Sequence, residues 1–119
     1  MKRFPEPLQA ELQTDRKKWR LLAPFSYLDP EQGRLTVPAD FETDFASVPR
    51  LPVVFELVGA YGHAAAVLHD WLYRTASLPR AAADRVFFNA LRSSGIARWR
   101  AWLMWGGVRI GGANHYGAC

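Results

Sequence analysis

The stretch that decides the fold is residues 69–84: His69-Asp70-Trp71-Leu72-Tyr73-Arg74-Thr75-Ala76-Ser77-Leu78-Pro79-Arg80-Ala81-Ala82-Ala83-Asp84. It holds one break, at Ser77-Leu78-Pro79. Ser77 is suited to cap a helix N-terminus, and Pro79 is tolerated in a first turn, where its missing N–H has no intrahelical partner. An apolar-rich helix is expected before the break, over His63–Ala76, and a second after it, over Arg80–Ser93, stopped by Gly95. So short a connection makes the two helices antiparallel. Folding the chain about residue 77 sets Asp84 opposite His69 and Tyr73, and Ala81, Ala82 and Ala83 are small enough to let the helices approach closely. His69 and Tyr73, four residues apart, share a face. Asp70 is turned about 100° from His69 and shares a face with Val67 and Arg74. The spacing predicts a buried cluster of His69, Asp70, Tyr73 and Asp84 carried by a helical hairpin.

Downstream, Ala97 to about Ile110 reads as a third helix that fades into Gly111-Gly112. Trp99, Trp102 and Trp105 recur at every third position and are expected in the core. The rival reading makes them a membrane-surface face helped by Arg98, Arg100 and Arg109. Upstream, the character changes near residue 50. Leu8–Gln13 alternates apolar and polar residues, Trp19–Leu28 is a second strand bent at Pro24, and Arg34–Val37 is a third, after the turn Asp29-Pro30-Glu31-Gln32-Gly33. Such a meander is too small to stand alone. The expected fold is α+β: a small N-terminal antiparallel β-meander packed against three C-terminal α-helices. It is read as one domain over residues 1–119, β-rich at 1–40, with an ordered loop at 41–50 and a helical part at 51–119.

Composition narrows the function classes. With 119 residues, half of them hydrophobic and five of them Trp, the chain is long and apolar enough for one core and is not a disordered segment. Fifteen basic against eleven acidic residues give a net charge of only +4. Apart from Arg16, Lys17, Lys18 and Arg20 the basic residues are spread, so nucleic acid is not an expected partner. Cys119 stands alone and excludes an intrachain disulfide and a cysteine metal site. No apolar stretch follows Lys2 and Arg3 as a secretory signal requires, and the longest apolar run, Leu51–Val58, is interrupted by Pro52 and Glu56. The expectation is a chain without a transmembrane segment that stays soluble where it is made.

The hairpin cluster has the residue types of a histidine general base. A neutral imidazole takes a proton through one nitrogen while a carboxylate holds the other N–H. Asp84 is that carboxylate, Tyr73 fixes Asp84, and Asp70 is free to bind a hard cation such as Ca²⁺ with loop oxygens, with Asp44 as a second carboxylate. Blander readings use the same residues. His69 can be a core histidine satisfied by Asp84, Asp84 can be a surface partner of Arg80 four residues before it, and Tyr73 can be a packing residue. Asp44, beside Thr43 and Ser47, can stabilise a turn. His63 lies about 10 Å along the helix axis from Asp70, too far for joint chelation, and reads as a helix-start residue. His115 sits in a Gly-rich tail and points to no chemistry. Solvent access separates the readings: a catalytic His69 lines a pocket, and a structural one is sealed with its nitrogens satisfied by protein.

Two resemblances attach to these residues. Thr43-Asp44-Phe45-Ala46-Ser47-Val48-Pro49, then His69-Asp70-Trp71-Leu72-Tyr73, then Arg80 with Ala83-Asp84, resembles a phage and prophage family of unknown function with the pattern T-D-x-A-S-x-P, H-D-x-L-Y and R-x-x-A-D. Membership implies a phage or prophage origin and supplies no established activity. The further expectations are synthesis in the host cytoplasm, association with virions, and phage structural proteins or host envelope components as partners. Locally, H-D-x-x-Y followed by A-D on an antiparallel helix is similar to the core of secreted phospholipases of the A-two class, especially prokaryotic and parvoviral forms. That similarity implies His69 as base, Asp70 as Ca²⁺ ligand, Asp84 as the orienting carboxylate and Tyr73 as the supporting phenol. The Gly-rich calcium loop of those enzymes is not matched by Gly59-Ala60-Tyr61-Gly62, and their disulfides are absent. Two functions follow as expectations. One is a phage-encoded, metal-assisted, phospholipase-like ester hydrolase. The other is a non-enzymatic virion or tail-assembly component in which the same cluster is a structural polar network.

Overall fold

Proline divides what reads as one long strand. In a computed structural model, which describes residues 4, 9–14, 18–43, 63–111 and 116, the expected strand Trp19–Leu28 is two: β2 (Trp19–Leu21) and β3 (Phe25–Asp29). Pro24 lies between them and has no N–H to give to a ladder. The strands on either side of it then enter different sheets. β2 is the centre of a three-stranded antiparallel sheet, flanked by β1 (Ala10–Leu12) and β5 (Glu42–Thr43), with Leu12 and Thr43 both opposite Trp19. β3 pairs with β4 (Gly33–Val37) as a hairpin running from Phe25 opposite Val37 to Asp29 opposite Gly33. The expected meander is therefore two small antiparallel sheets. Two residues of the expected loop, Glu42 and Thr43, are strand, because β5 is too short to show an alternating pattern and is held only by its pairing to β2.

The hairpin turn follows from its sequence. Asp29 Oδ2 accepts the N–H groups of Glu31 and Gln32 at 2.9 and 2.8 Å, and Gly33 takes φ +77°, a left-handed conformation open to glycine. Leu21, Phe25, Tyr27 and Val37 are fully buried, and the Phe4 ring lies tilted 4.8 Å from that of Tyr27, between centroids.

The chain forms two compact units, Met1–Asp44 and Phe45–Cys119. Three helices build the second: α1 (His63–Thr75), α2 (Arg80–Ser93) and α3 (Arg98–Gly111). α1 packs on α2, and α2 on α3. The break falls where the sequence predicts it, with one difference. The residue capping α2 is Pro79, without a side-chain cap, and the Ser77 hydroxyl bonds Thr75 Oγ1 at 3.1 Å. α2 ends in a Schellman motif. Gly95, at φ +90°, donates to Arg92 O, and Ile96 donates to Leu91 O, both at 3.1 Å, with Leu91 and Ile96 buried together.

α1 ends on Ala76, which sits at φ +49°. A left-handed alanine costs about 1–2 kcal/mol, partly offset by the larger unfolded-state entropy of glycine. Ala76→Gly is expected to raise the unfolding free energy by about 0.5–1 kcal/mol in urea denaturation. A destabilised variant would contradict that strain.

The core face of α3 is Ala101, Met104 and Val108. The Trp series is not the core stripe expected of it: Trp99 and Trp102 are 57% and 43% exposed, and only Trp105 is half-covered. The reason is geometric. A helix turns about 100° per residue, so a three-residue spacing drifts about 60° at each step and cannot stay on one face.

Candidate functional site

The four hairpin residues come from two helices, and the third helix completes their arrangement. His69 Nε2 lies 2.7 Å from Asp84 Oδ1, and the Tyr73 hydroxyl donates to the same oxygen at 2.5 Å. Arg109, from the last turn of α3, donates through Nη1 to Asp84 Oδ2 at 2.8 Å. Both carboxylate oxygens are thus engaged, by groups from α1 and α3, while the Asp84 backbone belongs to α2. A second cation backs the cluster. Arg80 Nε donates to the Tyr73 hydroxyl at 3.1 Å, and its Nη2 donates to the carbonyls of Val108 and Arg109 at 2.9 and 2.6 Å. Those carbonyls belong to the last turn of α3, where helix geometry leaves them without intrahelical donors and the dipole favours a positive charge. The His69 ring is bracketed by Tyr73 at 4.1 Å and Phe87 at 4.8 Å between centroids. Tyr116 meets the Tyr73 ring edge-on and donates to Leu78 O at 2.6 Å.

The protonation states follow from this environment. Burial pushes the His69 imidazole below its ordinary 6.5, against the Asp84 hydrogen bond, which pulls it up. His69 is therefore neutral at pH 7. Burial pushes the Asp84 carboxyl up, and the hydrogen bonds from His69, Tyr73 and Arg109 outweigh it, so the group lies below its ordinary 3.8 and is ionised. Burial first, and the bond to Asp84 second, hold the Tyr73 phenol protonated well above its ordinary 10. An ionised Asp84 can only accept, so Nε2 carries the imidazole proton and the lone pair lies on Nδ1. The side chains of His69 and Asp84 have no solvent exposure at all.

The expected residues thus fall into three groups. His69, Tyr73 and Asp84 meet. Asp70 is beside them in sequence but faces another way, its buried carboxylate paired with Arg74 at 3.5 Å. Asp44, with the rest of the expected loop, lies outside the described residues. Among the described residues no group of three His, Cys, Asp or Glu side chains is placed to hold a metal ion. Asp84 is not the surface partner of Arg80. It is buried, and its cation is Arg109. Arg109 is the member that sequence reasoning missed. It is 25 residues from Asp84, its sequence neighbours group it with the membrane-surface face, and no local spacing connects it to the hairpin.

A family model described as "Protein of unknown function (DUF1353)" matches residues 19–108. The chain belongs to the DUF1353 family. The DUF1353 match runs from the first residue of β2 to Val108, whose carbonyl accepts Arg80, and so spans His69, Tyr73, Arg80 and Asp84 and stops one residue short of Arg109. No curated protein and no solved structure shows significant similarity to the chain. DUF1353 membership supplies no activity, so function is argued from the site.

Proposed function

We propose that this DUF1353 protein is a non-enzymatic component of a phage or prophage particle, and that the His69–Asp84–Tyr73–Arg109–Arg80 network is a structural clamp. The reading rests on one observation: His69 and Asp84 are wholly sealed from solvent, in a network whose hydrogen bonds run from helix to helix. A general base needs its free nitrogen at a pocket wall. A clamp needs the reverse, every polar group paired and water excluded. The phage origin is supported by the resemblance carried by Thr43–Pro49, His69–Tyr73, Arg80 and Asp84. On this view the chain is made in the host cytoplasm and carried with the virion, and its partners are phage structural proteins or components of the host envelope.

A second reading, an ester hydrolase of phospholipase type, is favoured by the imidazole geometry. A neutral ring with Nε2 held by an ionised carboxylate is the pairing that a His–Asp general base uses. In that case Asp84 and Tyr73 orient His69. On this reading a divalent cation draws on Asp70 and Asp44.

One experiment separates the two. Purified protein is assayed on short-chain carboxyl esters and on phospholipid, with and without millimolar Ca²⁺, while thermal unfolding is followed at the same Ca²⁺ concentrations. The clamp predicts no turnover above a His69→Gln control and a melting temperature that does not move with Ca²⁺. Turnover lost in a folded His69→Gln variant, or a saturable Ca²⁺-dependent rise abolished by Asp70→Asn, would replace the clamp by the hydrolase.

A further inference from the structure

α3 is apolar on two opposite sides, and its neighbours cover only one. Ala101, Met104 and Val108 are buried within the helical unit. At about 100° per residue, positions 99, 103, 106 and 110 fall within about 60° of each other on the far side. Three of them are large, and they are 57%, 55% and 87% exposed at Trp99, Leu103 and Ile110. Trp102, 43% exposed, borders them and packs its ring 4.3 Å from that of Phe88. Exposed Arg98 and Arg100 stand about 100° to either side of Trp99, and the Arg100 guanidinium lies 5.2 Å over the Trp99 ring. Residues 98–111 include no Asp or Glu.

We propose that this face of α3 docks on an anionic lipid surface, with Trp99, Leu103 and Ile110 entering the headgroup–acyl boundary and Arg98 and Arg100 meeting lipid phosphates. Indole side chains favour that boundary, having an apolar body and one N–H for the wet side. The charge pattern chooses the occupant. Two exposed arginines with no carboxylate on the helix complement a negative surface. A second copy pairing in parallel through the same stripe would bring four arginines together with no acid on either helix to answer them, and an antiparallel one would set each arginine pair against the apolar Ile110 end. The helix is too short to cross: its 14 residues span about 21 Å, against about 30 Å of hydrocarbon, so it lies along the surface. Gly106 sits in the middle of the stripe with open space around the position of a Cβ, so the face can be enlarged without disturbing the fold. None of the proposed contact residues belongs to the buried network, and the inference holds whether that network is a clamp or a base.

The test is flotation of the full chain with vesicles of phosphatidylglycerol and phosphatidylcholine, against vesicles of phosphatidylcholine alone, at low and high salt. Binding is expected on the anionic vesicles, at least about tenfold weaker on neutral ones, and weakened by salt. Arg98→Gln with Arg100→Gln is expected to weaken anionic binding about tenfold or more. Trp99→Ser with Leu103→Ser should remove it, and Gly106→Leu should strengthen it several-fold. Unchanged melting temperatures verify that these surface variants are folded. Equal binding to both vesicle types, no binding to either, or an arginine variant that binds like the original chain would overturn the proposal. So would a doubled mass in sedimentation that returns to one chain in Trp99→Ser/Leu103→Ser, which would make the face a self-interface.

Discussion

Asp84→Ala is expected to lower the unfolding free energy by about 3–5 kcal/mol, the range for removing one partner of a buried ion pair. Three groups lose their acceptor at once. His69 and Tyr73 are fully buried donors, and Arg109, one third exposed, loses the carboxylate it is paired with. For a domain of this size the loss corresponds to a fall of more than about 10 °C in melting temperature. Chemical denaturation of Asp84→Ala, with Asp84→Asn as a variant that keeps the volume and one carbonyl acceptor, measures it. Asp84→Asn should fall between the original chain and the alanine variant. A loss below about 1 kcal/mol in both would show that the three helices hold together without the network.

Acidification should destabilise the chain in two stages, for two different reasons. The folded His69 titrates below its unfolded value of 6.5, because burial opposes the imidazolium. As the pH drops under 6.5 the unfolded chain takes up a proton that the native chain refuses, and stability falls until the folded group itself protonates. Above 6.5 both states are neutral there and the group contributes no slope. Asp84 is also depressed in the folded state, once the hydrogen bonds from His69, Tyr73 and Arg109 have overcome the effect of burial. Its contribution is complete above 3.8 and is lost as the pH falls through the folded value. Denaturation midpoints measured from pH 8 to pH 3 should therefore be flat at the alkaline end, decline below 6.5 and decline again below 3.8. In His69→Gln the first decline should shrink, and the second should remain. A chain more stable at pH 5 than at pH 8 would mean that His69 is held protonated by Asp84, the opposite of what its burial implies.

Both predictions turn on residues that were legible at different depths. His69, Tyr73 and Asp84 could be brought together from the sequence because the relations among them are local: four residues along one helix, and a three-residue break that leaves the next helix nowhere to go but back. The charge states were not legible in the same way. A histidine beside an aspartate is ordinarily expected to gain a proton. Only its enclosure by Phe87, Tyr73 and α2 makes burial the larger effect.

By itself, then, the sequence determined the α+β order of elements, the bounds of α2, the break at Ser77–Pro79 and the meeting of His69 and Tyr73 with Asp84, all of which depend on periodicity and short connections. Tertiary structure decided the rest. Pro24 removes a ladder donor, but which sheet each neighbouring strand joins depends on β5, 21 residues beyond Leu21 at its first residue. Arg109 and Arg80 complete the network only because α3 returns its C-terminal turn to the hairpin, and Trp99 and Trp102 of α3 are exposed because Ala101, Met104 and Val108 took the inner face. The physical reason is common to all of these. Hydrogen-bond geometry and side-chain period act over a few residues and can be read along the chain, whereas a buried charge finds its partner by proximity in space, which no spacing in the sequence encodes.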